Sequence, residues 1–470
     1  MVLFGMLRTL VQFEKWDVVL DDWRLIHAFV GDARAGELIF LTSMGKFITQ
    51  TLSGCAAVTV ICCAAPIHCY AQVPKGGGSP PSTPPTSALV VVDRVENIGV
   101  LAKEPMVVEH PDGTLFVSGY GPPPGLKLWK SRDRGNTWTR VNVGNEADGA
   151  IGNSDVDLAV ARDGTLYFVT MEYDNQAHEG RHIAVGVSEN VGATWRWTML
   201  SKHRFDDRPW VAVAADGTAH VIWNDGSGVN HAVSHDRGVT WVQQPRIYGQ
   251  GGSSHLTVGP NQEVAVRVTP LSASGGKFDA GVDLIAISTD GGITWKTQQA
   301  PGHRQWISSL GAFPPRWVEP LAWDAQGALY SFWADGKALW LAQSLDEGEK
   351  WTSWRVASGD EDSYFPYLVA RGPGELAATW FSGRAETLQA HIAGINIHNG
   401  ATPPKVNEST PFRVDWWQNG ASPEGTLVRG TGGEYVAVTF LRSGGLAMVS
   451  PIANSREQRF GFSWWRLEAR

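Results

Sequence analysis

Cysteine is scarce in this chain: four residues in 470, Cys55, Cys62, Cys63 and Cys69, all in one short stretch near the N-terminus. Everything beyond Cys69 must therefore fold on burial and hydrogen bonding, without disulfides or thiol chemistry. Charge is also sparse, with 18% Asp, Glu, Lys and Arg and a net charge of −8. No run or stripe of Lys and Arg occurs, which argues against nucleic acid and anionic membrane surfaces as partners. Long apolar segments of even helical period are missing too, so the bulk reads as all-β. What the chain has in plenty is glycine (53) and tryptophan (22), residues of tight turns and aromatic strands.

The N-terminal region reads as an export signal. From Met44 the chain runs Met-Gly-Lys-Phe, then an apolar stretch from Leu52 to Ile67, then His-Cys-Tyr-Ala. That is a basic start, an apolar middle and a small-residue cleavage site after Ala71. The apolar run is interrupted and too short for a membrane span. Residues 1–43 would not precede a working signal, so they read as an extension and Met44 as the true start. Leu52-Ser53-Gly54-Cys55 also fits a lipoprotein-type box, but the segment before it is too short and polar to serve. Cleavage after Ala71 would leave a secreted, periplasmic or cell-surface protein without cysteine. Residues 72–87 then form a Pro/Gly/Ser linker, and the folded domain spans 88–470.

Within residues 88–470 a single pattern recurs five times: Ser131–Trp138 (SRDRGNTW), Ser188–Trp195 (SENVGATW), Ser234–Trp241 (SHDRGVTW), Ser288–Trp295 (STDGGITW) and Ser344–Trp351 (SLDEGEKW). Apolar alternation precedes each copy and Thr-Trp opens a new extended run, so each is a hairpin turn. The Asp carboxylate can accept backbone N–H groups, Gly supplies a positive φ, and Trp fills the space between sheets. Asp133, Asn190, Asp236, Asp290 and Asp346 are accordingly structural, not catalytic. A second unit, strand–turn–strand, begins at Pro105, Val156, Pro209, His255, Pro320, Pro366 and Gly425. Seven units of this length imply a β-propeller of seven four-stranded blades, with six as the alternative. A strand at 88–92 would pair with the final blade and close the ring.

These boxes and strand units resemble the sialidase/BNR (Asp-box) repeat superfamily over essentially all of residues 88–470. The resemblance implies a propeller and, for its sialidases, three arginines clamping a substrate carboxylate, a Tyr nucleophile assisted by Glu, and an Asp acid/base. The family's Phe-Arg-Ile-Pro-type motif is absent; Lys103-Glu104-Pro105 stands in its place.

Topology says where a site would lie. If the boxes join third to fourth strands, the opposite face gathers the starts of the first strands and the loops between second and third strands. On that face Arg208, Arg316 and Arg384 are the clamp candidates, with Arg267 in reserve. Tyr364 is the candidate nucleophile, Glu319 its activator, and Asp155 or Asp157 the acid/base. Trp416 could stack on a sugar ring. His255, with Tyr364 or Tyr173, would matter most if the chemistry were elimination. His178 and His182 read as solvated loop residues, and neither a metal nor a cofactor is expected. The first reading is thus a monomeric exo-sialidase-type glycoside hydrolase acting on carbohydrate. A non-catalytic binding propeller and a polysaccharide lyase are the alternatives.

Overall fold

A computed structural model describes residues 89–100, 102–121, 125–269, 277–278, 281–303, 305–306, 309–310, 319–383, 389–398, 402–409, 412–413, 436–454 and 459–469, with short strands between residues 2 and 50. Residues 1–82 and 83–470 are separate units. In the first, Thr9–Phe13 pairs with Trp16–Leu20 and Leu38–Leu41 with Phe47–Gln50. The apolar stretch assigned to the export signal lies outside the described residues.

The second unit is a seven-bladed β-propeller of antiparallel blades. The first strands of blades 1 to 7 are Lys103–Glu109, Ser154–Val160, Asp207–Val213, Gly252–Val258, Leu321–Trp323, Ser363–Ala370 and Ala437–Phe440. Each hairpin that follows is a near-equal run of apolar residues, because a blade is covered on both faces by its neighbours. Blade 7 is completed from the far end of the chain: Leu89–Val100 pairs with Arg459–Ala469. The ring therefore closes by strand exchange, as the sequence led us to expect, with the strand longer than residues 88–92.

Five repeated turns join third to fourth strands. In the first, Thr137 N–H and Thr137 Oγ1 donate to the two Asp133 oxygens at 2.9 and 2.6 Å, and Gly135 N–H donates to Ser131 Oγ at 2.9 Å. These bonds draw the Asp133 pKa down to about 2, the Thr137 hydroxyl contributing most. Asn190 keeps the geometry, accepting from Thr194 N–H at 2.9 Å and donating to its hydroxyl at 2.7 Å. With Lys350 in the threonine position, Asp346 retains the backbone bond, at 2.8 Å.

The box also locks blade to blade. Trp138 packs edge-on against Trp464 of blade 7, Trp241 against Tyr167 of blade 2 and Trp295 against His231 of blade 3. The turns joining first to second strands, on the same face, are tied as well. His110 of blade 1 meets the Gly164 carbonyl of blade 2 at 3.0 Å, and Gly374 N–H of blade 6 donates to Asp324 of blade 5 at 2.8 Å. Arg442 N–H of blade 7 donates to Glu109 of blade 1.

Candidate functional site

Because boxes and first hairpin turns share one face, the first-strand starts and the second-to-third turns share the other. There the first strands are broken in a repeated way. The ladder slips between Lys103 and Met106, Ser154 and Val156, Asp207 and Trp210, Ser253 and His255, and Tyr364 and Tyr367. In blades 1, 3 and 6 the residue inside the slip has a positive φ and precedes proline: Glu104 (52°), Arg208 (50°) and Phe365 (46°). A side chain there costs on the order of 1 kcal/mol or more of backbone strain, so the surroundings must hold it. All three are buried. Bulges at a barrel or propeller rim re-aim side chains, and here they fall at the same end of the first strands, at Lys103, Glu104, Asp155, Asp207, Arg208 and Tyr364.

Below the mouth the channel has a floor. Met106, Asp157, Trp210, His255 and Tyr367 occupy the same register position, three residues before the last ladder pair of their hairpins. The His255 ring of blade 4 lies 5.3 Å from Trp210 of blade 3 and edge-on at 5.8 Å to Tyr367 of blade 6. The Tyr367 hydroxyl lies 3.7 Å from Met106 Sδ of blade 1. Contacts among blades 1, 3, 4 and 6 must cross the axis.

Burial dominates the electrostatics of this floor. It pushes the His255 imidazole down to about 4, so the ring is neutral at ordinary pH. It raises the Tyr367 phenol above its usual value, helped by the charge of Asp157. Asp157 itself is pushed up to about 7 by burial, against two backbone donors, Val211 N–H at 2.9 Å and Leu158 N–H at 2.8 Å. The first of these ties blade 2 to blade 3.

The structure disposes the remaining candidates differently. Asp155 sits in the blade 2 bulge, with Ser154 Oγ donating to it at 3.2 Å. Tyr364 opens the first strand of blade 6 and is buried. Arg267 and Glu319, assigned separate roles above, are ion-paired to each other across the blade 4–5 seam. Asp283 lies 3.3 Å from the same guanidinium, and all three side chains are 1% exposed. Arg267 Nε and Nη1 have no hydrogen-bond partner. His182 is paired with Glu172. Arg316, Arg384 and Trp416 lie outside the described residues.

The floor residues Trp210, Tyr367 and Met106 were not singled out from the sequence, although each directly follows the proline of its repeat (Pro209, Pro366, Pro105). Aligning the repeats on proline would have marked the position. Asp206 directly precedes the first strand of blade 3. It is wholly buried, and burial lifts it to about 6 against bonds from His203 N–H and Ser201 Oγ.

The fold defines the class, a seven-bladed β-propeller. No protein-family model matches the chain, and neither does any curated protein. Among solved structures it is similar to an α-L-arabinanase of Penicillium chrysogenum complexed with arabinobiose, at 14% identity and a TM-score of 0.42, covering 82% of this chain and 99% of that one. It is also similar to a family PL25 ulvan lyase, at 10% identity and a TM-score of 0.48, covering 80% and 96%. A third is the Hadza microbial sialidase Hz136, at 14% identity and a TM-score of 0.39, covering 66% and 65%. What those proteins bind belongs to them.

Proposed function

We propose that the protein is a carbohydrate-active propeller, a glycoside hydrolase of sialidase type taking the terminal acidic sugar of a glycan at the channel mouth. The observation that supports this reading is the set of broken first-strand starts, which lie at the same end of their blades and carry Arg208, Tyr364, Glu104, Asp155 and Asp207. A planar guanidinium matches a carboxylate bidentately. Arg208 supplies one, and Arg316 and Arg384 complete the clamp. Tyr364 is the nucleophile, since a neutral phenol avoids driving a carboxylate against an anionic sugar, and Glu319 is its activator. Asp155 or Asp157 is the acid, and a carboxyl that keeps its proton to about pH 7 suits that role. Trp416 stacks on the sugar. Residues 44–71 export the protein, which works as a monomer outside the cytoplasm.

A polysaccharide lyase is the second reading, favoured by the neutral His255 ring set against Tyr367. One assay separates the readings. The full-length protein is tested for fluorophore release from a 4-methylumbelliferyl sialoside, beside Tyr364→Phe and Arg316→Ala. Turnover that falls by roughly a hundredfold or more in both variants supports the hydrolase. A folded protein that is inert there but forms an unsaturated, ultraviolet-absorbing product from a polyuronate is a lyase. One that does neither is a binding propeller.

A further inference from the structure

A cavity of about 620 Å³ lies outside the mouth and floor, on the seam between blades 1 and 2. Its wall is apolar, from Leu126, Val141, Val143 and Ile151, and its rim carries Arg140, Asn142, Glu146 and Glu172. The volume is that of a small-molecule site. We propose that this cleft is a second carbohydrate site, one that takes an uncharged sugar unit.

Three observations carry the inference. First, the cleft is preformed. The segment 141–153 that builds much of it is pinned from blade 2: Trp197 Nε1 donates to the Val143 carbonyl at 2.8 Å and Thr170 Oγ1 to the Ile151 carbonyl at 2.7 Å. Asn153 exchanges two bonds with the Tyr173 backbone, at 3.0 and 2.8 Å. A site that need not be ordered on binding keeps more of its interaction energy. Second, the two blades are in backbone contact beside the cleft, at glycines that line it. A Cβ on Gly125 would lie 2.3 Å from the Gly152 carbonyl oxygen, and one on Gly152 would lie 2.7 Å from Leu126 Cδ2.

Third, the charge pattern selects the ligand. The one guanidinium on the rim, Arg140, donates to the Leu126 carbonyl and stacks 4.9 Å over Trp129. The two glutamates remain as acceptors, Glu172 beside His182 and Glu146 in solvent. Carboxylates accept from sugar hydroxyls, the apolar wall suits the C–H face of a pyranose or furanose, and the Asn142 amide is a donor. An anionic sugar would meet a net negative rim. The class selected here is thus opposite to that proposed for the mouth, and the inference does not depend on it.

Saturation-transfer-difference NMR on the full-length protein tests this. The probes are galactose, glucose, mannose and arabinose on one side and glucuronic and galacturonic acids on the other. The expected result is transfer to at least one neutral sugar, reduced at least fivefold in Ala150→Trp, which fills the cleft, at an unchanged melting temperature. Glu172→Lys, on the half-exposed rim, should weaken the neutral sugar and admit the uronic acids, without any need to block the cavity. The proposal is overturned if no neutral sugar shows transfer, if both variants bind as wild type, or if uronic acids give the cleft-dependent signal. Sialoside turnover is read on the same samples, so failure at the mouth and failure at the cleft are distinguishable.

Discussion

Gly135 meets two demands at once. Its φ of +93° excludes ordinary side chains, and a Cβ there would lie 2.1 Å from Trp464 Nε1 of the neighbouring blade. Gly292 repeats the pattern, with φ +86° and a Cβ 2.3 Å from His231 Cε1. The box glycine is thus both the turn residue and the contact surface for the preceding blade. Gly135→Ala should destabilise the propeller by about 2–4 kcal/mol in urea unfolding, whereas Gly113→Ala, which also has positive φ but open space around its Cβ, should cost only the backbone strain. Asp157 makes a second residue-scale prediction. Its folded pKa, about 7, lies above its unfolded value, so its contribution to stability is full below about pH 4 and is lost as pH rises to 7. The stability of wild type relative to Asp157→Asn should therefore fall between pH 4 and 7 and level off above. A flat difference across that range would sink the assignment.

At the scale of elements, the seams between blades differ in kind. Blades 3 and 4 meet through neutral imidazoles: His231, stacked on His220 of its own blade with His220 Nδ1 3.1 Å from its Nε2, packs edge-on against Trp295, and His255 packs against Trp210. Blades 4 and 5 meet instead through Arg267, Asp283 and Glu319. Removing the cation there would strand buried carboxylates, so Arg267→Leu should cost about 3–5 kcal/mol. A neutral result would mean the carboxylates find other partners. This seam also shows what could not be read in advance. Arg267 and Glu319 stand 52 residues apart, and nothing local to either distinguishes an arginine free to clamp a ligand from one already paired.

At the scale of the whole molecule, the ring holds because its last blade borrows a strand from the other end of the folded unit. Without Leu89–Val100, Arg459–Ala469 keeps only Leu446–Asn454 as a strand partner, its outer edge is left unpaired, and Trp465 loses the Arg94 guanidinium that lies 4.0 Å over its ring. A chain lacking residues 1–102 should show no cooperative thermal transition by circular dichroism, while one lacking residues 1–82 should melt like the full chain.

Blade number and the box turns were legible in the sequence because each is a local pattern repeated at a set spacing; the seventh unit, begun at Gly425, lies mostly outside the described residues, and the hairpin of blade 7 is Ala437–Phe440 with Leu446–Asn454. Turn chemistry and strand alternation act over a few residues, so every copy declares itself. Which residues converge is another matter. His255, Trp210, Tyr367 and Met106 meet only because four blades bring one register position to a common axis, and the Arg267–Glu319 pair exists only because two blades pack. Those meetings depend on ring geometry and burial, and such long-range facts are decided by the tertiary structure alone.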